Sequence, residues 1–156
     1  MGVEIKFTEK PDSVQWPVTH FIYVEKMGPF QETARPAWEI LQQQKSEILK
    51  NNIITGHMSL YKMKPQLIYR AGVVVDLKPD TLPPGLQYIK FEGGKYSRFI
   101  YTGPYSELGI ISGKIFEIVK TTSLPVRDDF IIENYVNTPD TTPEDNLQTE
   151  ILIPVD

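Results

Sequence analysis

The sequence predicts an α+β fold: a strand-helix-strand-strand unit used twice, with antiparallel sheets, two helices and a central cleft on a pseudo-twofold axis. Three observations carry this. Only two stretches, around 34–48 and 108–118, show the 3.6-residue apolar period of an amphipathic helix. The other apolar residues fall in short runs rich in β-branched and aromatic side chains, which favour strands. Each helical stretch follows a Gly-Pro break and precedes two such runs.

Residues 3–7 alternate as a short strand that ends at Pro11 and Asp12. Residues 18–25 follow Pro17 as the next strand, and Gly28-Pro29 breaks it. Ala34, Ala37, Trp38, Leu41 and Ile48 then mark the first helix, with Thr33 as expected N-cap, Pro36 in its first turn and Asn51-Asn52 at its close. Residues 57–63 and 67–75 read as strands joined by a Lys64-Pro65-Gln66 turn. Residues 77–85 hold Pro79, Pro83, Pro84 and Gly85, a stiff connection between halves 3–76 and 86–156 of one domain. In the second half, residues 86–91 and 96–102 flank Glu92-Gly93-Gly94-Lys95, which reads as a hairpin. Gly103-Pro104 introduces a helix carrying Leu108, Ile111, Ile115 and Ile118, and Pro125 stops it. Residues 130–136 and 147–155 are the last strands, joined by an acidic, Pro-bearing loop at 137–146.

The halves also echo each other in letters. Phe21-Ile22-Tyr23 recurs as Phe99-Ile100-Tyr101, and Gly28-Pro29-Phe30-Gln31-Glu32 as Gly103-Pro104-Tyr105-Ser106-Glu107. Trp38-Glu39-Ile40 matches Phe116-Glu117-Ile118, and Val75-Asp76 matches Val155-Asp156. One such half buries neither its sheet face nor its helix stripe alone. Pairing two of them solves that problem and leaves a groove along the axis.

Composition narrows the chemistry. The 156 residues carry 16 Lys and Arg against 20 Asp and Glu, a net charge of −4, which argues against nucleic-acid binding and against an anionic membrane surface. No cysteine is present, so disulfides, zinc thiolates, iron–sulfur clusters and thiol nucleophiles are excluded. Two histidines, His20 and His57, are too few for an imidazole metal cage; a structural or surface role is expected for both, with axial haem ligation as the alternative. Neither a signal peptide nor a membrane-length apolar run is visible, so a cytoplasmic protein without cofactors is expected. The phosphate-binding glycine motifs, zinc-protease, EF-hand and nucleophile-elbow patterns are all missing, and Gly93-Gly94 is read as a turn.

Glu133 is the informative residue. It sits in Phe130-Ile131-Ile132-Glu133-Asn134-Tyr135-Val136, where period-2 alternation places it on one face with Ile131 and Tyr135. An unpaired carboxylate on such a face is expensive to bury. Its face could be solvated, it could pair with Arg70 or another base, or it could look into the groove. Ser59-Leu60-Tyr61 is its counterpart in the first half, a small hydroxyl where the second half offers an acid. Trp38, Tyr69, Tyr105, Phe116 and Tyr135 fall in segments expected to flank the groove. Aromatic faces with one acid suit lipophilic cations or flat aromatic ligands.

Gly103-Pro104-Tyr105 before an amphipathic helix, the Ile132-Glu133-Asn134-Tyr135 strand and the closing 149–155 strand resemble the GyrI-like small-molecule-binding superfamily. That superfamily includes effector-binding domains of AraC-type and MerR-type multidrug regulators, and the SOUL-type haem proteins are distant cousins. The resemblance spans about residues 3–156 and implies a bacterial protein with a duplicated unit, a central cleft and its characteristic acid at Glu133. With only about fifteen residues before the second strand, a stand-alone binder, and no helix-turn-helix, is expected. The implied ligand site comprises Glu133, Tyr135, Tyr105, Trp38, Tyr69, Phe116 and Ser59. The implied function is sensing or sequestering hydrophobic, often cationic or aromatic, compounds in that cleft. The resemblance also implies two alternatives: a hydrolase of strained toxins, with Glu133 and Tyr105 or Tyr135 handling the proton, and a gyrase-inhibitor-like protein-binding module using loop 137–146. Monomer and homodimer stay equally open.

Overall fold

The computed structural model describes residues 6–156. Nine strands and two α-helices follow in the order β1 (Lys6–Phe7), β2 (Asp12–Trp16), β3 (Thr19–Met27), α1 (Phe30–Asn51), β4 (Ile54–Lys62), β5 (Ile68–Val75), β6 (Gln87–Phe91), β7 (Gly94–Thr102), α2 (Leu108–Thr121), β8 (Ile131–Tyr135) and β9 (Gln148–Pro154). The class is α+β, as expected. Residues 3–5 of the first expected strand lie outside the described residues. Among the described residues, no helix is long and apolar enough to cross a membrane.

All strands join one antiparallel sheet in the order β1-β7-β9-β8-β4-β5-β3-β6, with β2 also on β7. From the central pair β4 and β8, the order runs outward as β5, β3, β6 on one side and β9, β7, then β1 and β2 on the other. Ser59 stands directly opposite Glu133 in that central pair.

The sheet cannot be flat. Six strand steps separate β7 from β6, about 29 Å at the usual spacing. Yet only Glu92 and Gly93 join Phe91 to Gly94, a reach of about 11 Å over three Cα steps. The two ends of the sheet are therefore curled together. Consistently, one core consists of residues from the strands alone: Phe21, Tyr23, Met58, Leu60, Phe91, Tyr96, Ile132 and Leu152. The opposite face carries the helices through Ala37, Leu41, Ile48, Ile111 and Ile115, which pack on Ile22, Val73, Phe99 and Ile151.

This topology corrects several expectations. Glu92-Gly93-Gly94-Lys95 is no hairpin, because β6 pairs with β3 while β7 pairs with β9, β1 and β2. The glycines instead carry the chain across the curled seam beside Trp16-Pro17: Gly93 has φ +73°, and a Cβ there would lie 2.2 Å from the Trp16 carbonyl oxygen. The Phe-Ile-Tyr echo is also not a structural match. Phe21 and Tyr23 face the strand-only core, whereas Phe99 and Tyr101 face the helices. Finally, α1 begins three residues before Thr33, with Pro29 as N-cap; the Thr33 hydroxyl donates back to the Pro29 carbonyl at 3.1 Å. Pro36 thus lies inside the helix, on its exposed side, where water can reach the Glu32 carbonyl that it leaves without a helical donor.

Candidate functional site

On the helix-bearing face, α1, α2 and the central strands enclose a cavity of about 950 Å³. Helix α1 supplies Gln31, Ala34, Trp38, Gln42 and Lys45, spaced by three or four residues so that one stripe faces inward. Helix α2 supplies Leu108, Gly109, Ser112 and Phe116 on the same logic, and Tyr105 sits just before it. The floor is His57 and Tyr61 on β4, Tyr69 on β5, and Glu133 and Tyr135 on β8, while Thr138, Pro139 and Asp140 bring loop 137–146 to the rim. The Tyr105 hydroxyl ties that loop down by donating to the Asn137 carbonyl at 3.2 Å.

Glu133 is half-buried and looks into this cavity. Pairing with Arg70 or another base does not hold. Arg70 projects from the opposite face, where it donates to Glu25 at 2.8 Å and lies over the Tyr23 and Phe130 rings. Among the described residues no ion pair includes Glu133. Its Oε1 instead accepts from the Tyr135 hydroxyl at 2.8 Å. Burial raises the Glu133 carboxyl above its ordinary 4.5, and the Tyr135 hydrogen bond holds it partly back.

That bond ends a directional chain. Trp38 Nε1 donates to Tyr69 Oη at 2.8 Å, Tyr69 meets Ser59 Oγ at 2.7 Å, and Ser59 meets Tyr135 Oη at 2.8 Å. Each hydroxyl has one proton, and an indole N–H only donates. With Tyr135 donating to the carboxylate, Ser59 must donate to Tyr135 and Tyr69 to Ser59. All protons then point toward Glu133. If a protonated Glu133 drove the chain the other way, Tyr69 would accept from both Ser59 and Trp38, and its own proton would need another partner. The chain therefore favours the ionised acid, against the burial that opposes it.

Aromatic rings complete the site. Tyr135 lies between Trp38 and Tyr105, with ring centroids at 5.5 and 5.4 Å, and Phe30 packs against Tyr61 and Tyr69 at 5.3 and 5.8 Å. Burial raises the Tyr69, Tyr105 and Tyr135 hydroxyls above their ordinary range, and the charge of Glu133 adds to each, so they stay protonated donors at neutral pH. His57 moves downward, first through burial and then through Lys45, with Asp140 opposing.

Of the seven residues singled out from the sequence, Glu133, Tyr135, Tyr105, Trp38, Tyr69 and Phe116 line the cavity. Ser59 is fully buried beneath it and hydrogen-bonds Tyr69 and Tyr135. Phe30, His57, Tyr61 and Ser112 also line it and escaped the sequence reading. Period-2 alternation from Ser59 would have reached His57 and Tyr61, and helical spacing back from Phe116 would have reached Ser112. His20 meets the Tyr88 hydroxyl at 2.7 Å, away from the cavity. Among the described residues no cluster of three or more His, Asp or Glu could hold a metal ion.

A family model described as the GyrI-like small molecule binding domain matches residues 9–156. No curated protein sequence matches the chain. Among solved structures, the EcmrR C-terminal domain is 14% identical, with 99% of each chain covered and a TM-score of 0.75. The structure of SAV2435 bound to tetraphenylphosphonium is 15% identical, covering 99% of this chain and 94% of that one, with a TM-score of 0.69. A hydrolase from Listeria innocua is 13% identical, covering 95% and 92%, with a TM-score of 0.56. At these identities the likeness is one of fold.

Proposed function

The chain belongs to the family of GyrI-like small molecule binding domains, and from that premise we propose that it senses or sequesters hydrophobic organic cations in the cavity over Glu133. The observation that carries this reading is a carboxylate without an ion-pair partner among the described residues, set in an aromatic-walled cavity. A volume of about 950 Å³ admits a drug-sized ligand. Each aromatic face attracts a cation by about 0.5–2 kcal/mol, and the carboxylate adds charge selectivity. SAV2435, which shares the fold, was solved with tetraphenylphosphonium, a ligand of this class. The same reading takes the halves 3–76 and 86–156 as two copies of one unit in a single domain. It is supported by the outward strand order on either side of β4 and β8.

Dye binding tests the reading. Glu133→Gln should weaken a cationic dye such as rhodamine 6G by about tenfold or more, or about 1.4 kcal/mol, while sparing neutral Nile red. Equal weakening of both dyes would contradict it. A second reading, hydrolysis of strained or toxic small molecules, is favoured by the raised carboxyl of Glu133 beside the protonated Tyr105 and Tyr135 hydroxyls. Turnover of strained-ring or ester substrates, abolished by Glu133→Gln, would establish it; binding without turnover would refute it.

A further inference from the structure

We propose that the cavity is built for amphoteric ligands: lipophilic cations that also carry an anionic group, with the cation over Glu133 and the anion at the Lys45 ammonium. This deepens the cation-binding reading and rests on it. Among the described residues that line the cavity, Lys45 is the one Lys or Arg. It stands on the inward stripe of α1, beyond Trp38 and Gln42, and is half-buried. The other two basic residues of this helix, Arg35 and Lys50, are exposed and pair with Glu39 and Glu47 of the same helix. No ion pair among the described residues includes Lys45. Asp140, the acid on the cavity rim, is exposed and accepts from the Thr138 hydroxyl. That bond, more than Lys45, holds its carboxyl below the ordinary 3.8. For a simple cation Lys45 is a penalty: a like charge 10 Å away costs about two- to fifteenfold in affinity, from the dielectric of water to that of a protein surface. An anionic group on the same ligand turns the penalty into an attraction.

The fold sets the spacing of the two charges. Trp38 marks the Glu133 end of the helix stripe, because its ring centroid lies 5.5 Å from that of Tyr135, the donor to Glu133. Lys45 follows seven residues later, about 10 Å further along the helix axis. The floor gives a similar measure. His57 pairs with Tyr135, one step of about 7 Å along β4 from the Ser59–Glu133 pair. Burial first, and then the charge of Lys45, push His57 downward, which places the ammonium at this end of the floor and leaves the imidazole neutral. Helix and floor thus agree that the ammonium stands to one side of the acid, roughly 7–10 Å beyond it. Between them lie the Trp38 and Tyr135 rings, an apolar stretch that a short alkyl chain or a flat ring system can cross.

An acid and its ester test this: (5-carboxypentyl)triphenylphosphonium and its methyl ester share one cation, and at about pH 7.5 only the acid carries the second charge. Both are titrated calorimetrically into the full chain. The expected result for Lys45→Gln has opposite signs: the acid binds about three- to tenfold more weakly, and the ester about twofold or more tightly. Lys45→Arg, which keeps the charge, should hold the acid within about threefold of wild type. An unchanged acid in Lys45→Gln, or acid and ester weakened alike, would overturn the proposal, with circular dichroism confirming that the variant is folded. Glu133→Gln in the same titrations separates the two claims. If ester binding is indifferent to Glu133→Gln, the cation reading itself fails, and this proposal with it. If Glu133→Gln weakens the ester while Lys45→Gln does not discriminate between acid and ester, only the Lys45 assignment falls.

Discussion

Replacing Tyr135 by phenylalanine removes one oxygen and keeps the ring that Trp38 and Tyr105 clasp at 5.5 and 5.4 Å. What is lost is the 2.8 Å donor to Glu133 Oε1. A hydrogen bond to a charged group is worth about 1.5–3 kcal/mol, and one pH unit corresponds to about 1.36 kcal/mol, so the ligand-free Glu133 midpoint should rise by about one to two pH units. The lower end is expected if Ser59, freed of its acceptor, turns partly toward the acid. The sign follows from the burial that already raises this carboxyl: a cation needs the ionised form, so affinity is lost as pH falls through the midpoint, and in the variant that loss begins at higher pH. The assay is the affinity for tetraphenylphosphonium, by fluorescence or calorimetry, between about pH 5 and 9. Wild type and variant should converge at the alkaline end and separate as pH falls. A constant ratio at every pH would mean that Tyr135 matters only as a contact, and an unmoved midpoint would refute the role of the chain.

Stability carries a related signature. Because the folded-state carboxyl lies above its ordinary 4.5, Glu133 contributes its stability below that value and loses it as pH rises through the folded midpoint. Glu133→Gln should therefore raise Tm at pH 8, and the gain should vanish near pH 4; a thermal melt at each pH checks both. At the seam, Gly93→Ala meets the Trp16 carbonyl at 2.2 Å with φ at +73°. It should cost at least about 2 kcal/mol in urea unfolding, and an unchanged midpoint would contradict the crossing described there.

Much of this was legible in the letters, and the failures have physical causes. Periodicity found both helices and, at Glu133, the one acid on an otherwise apolar and aromatic face, because side-chain direction along a strand or helix is local. Strand partners are not local. Glu92-Gly93-Gly94-Lys95 has the composition of a hairpin, yet the same positive φ values serve a chain crossing between the ends of a curled sheet. The Phe-Ile-Tyr echo misled for a similar reason: three identical letters carry no register, and the ladder puts them on opposite faces. Thr33 has the chemistry of an N-cap but spends its hydroxyl on Pro29, one turn back. The hydrogen-bond chain through Ser59 was hidden because it joins three strands and a helix, and no spacing along one segment encodes it.

The number of protons released when tetraphenylphosphonium binds tests most directly whether a reluctant acid in the cavity receives the cation. Calorimetric titrations in two buffers of different ionisation enthalpy, near the Glu133 midpoint, give that number. The expected result is release of up to about one proton per ligand, fading at higher pH and absent in Glu133→Gln. Binding without proton release at any pH, or the same release from the variant, would contradict it.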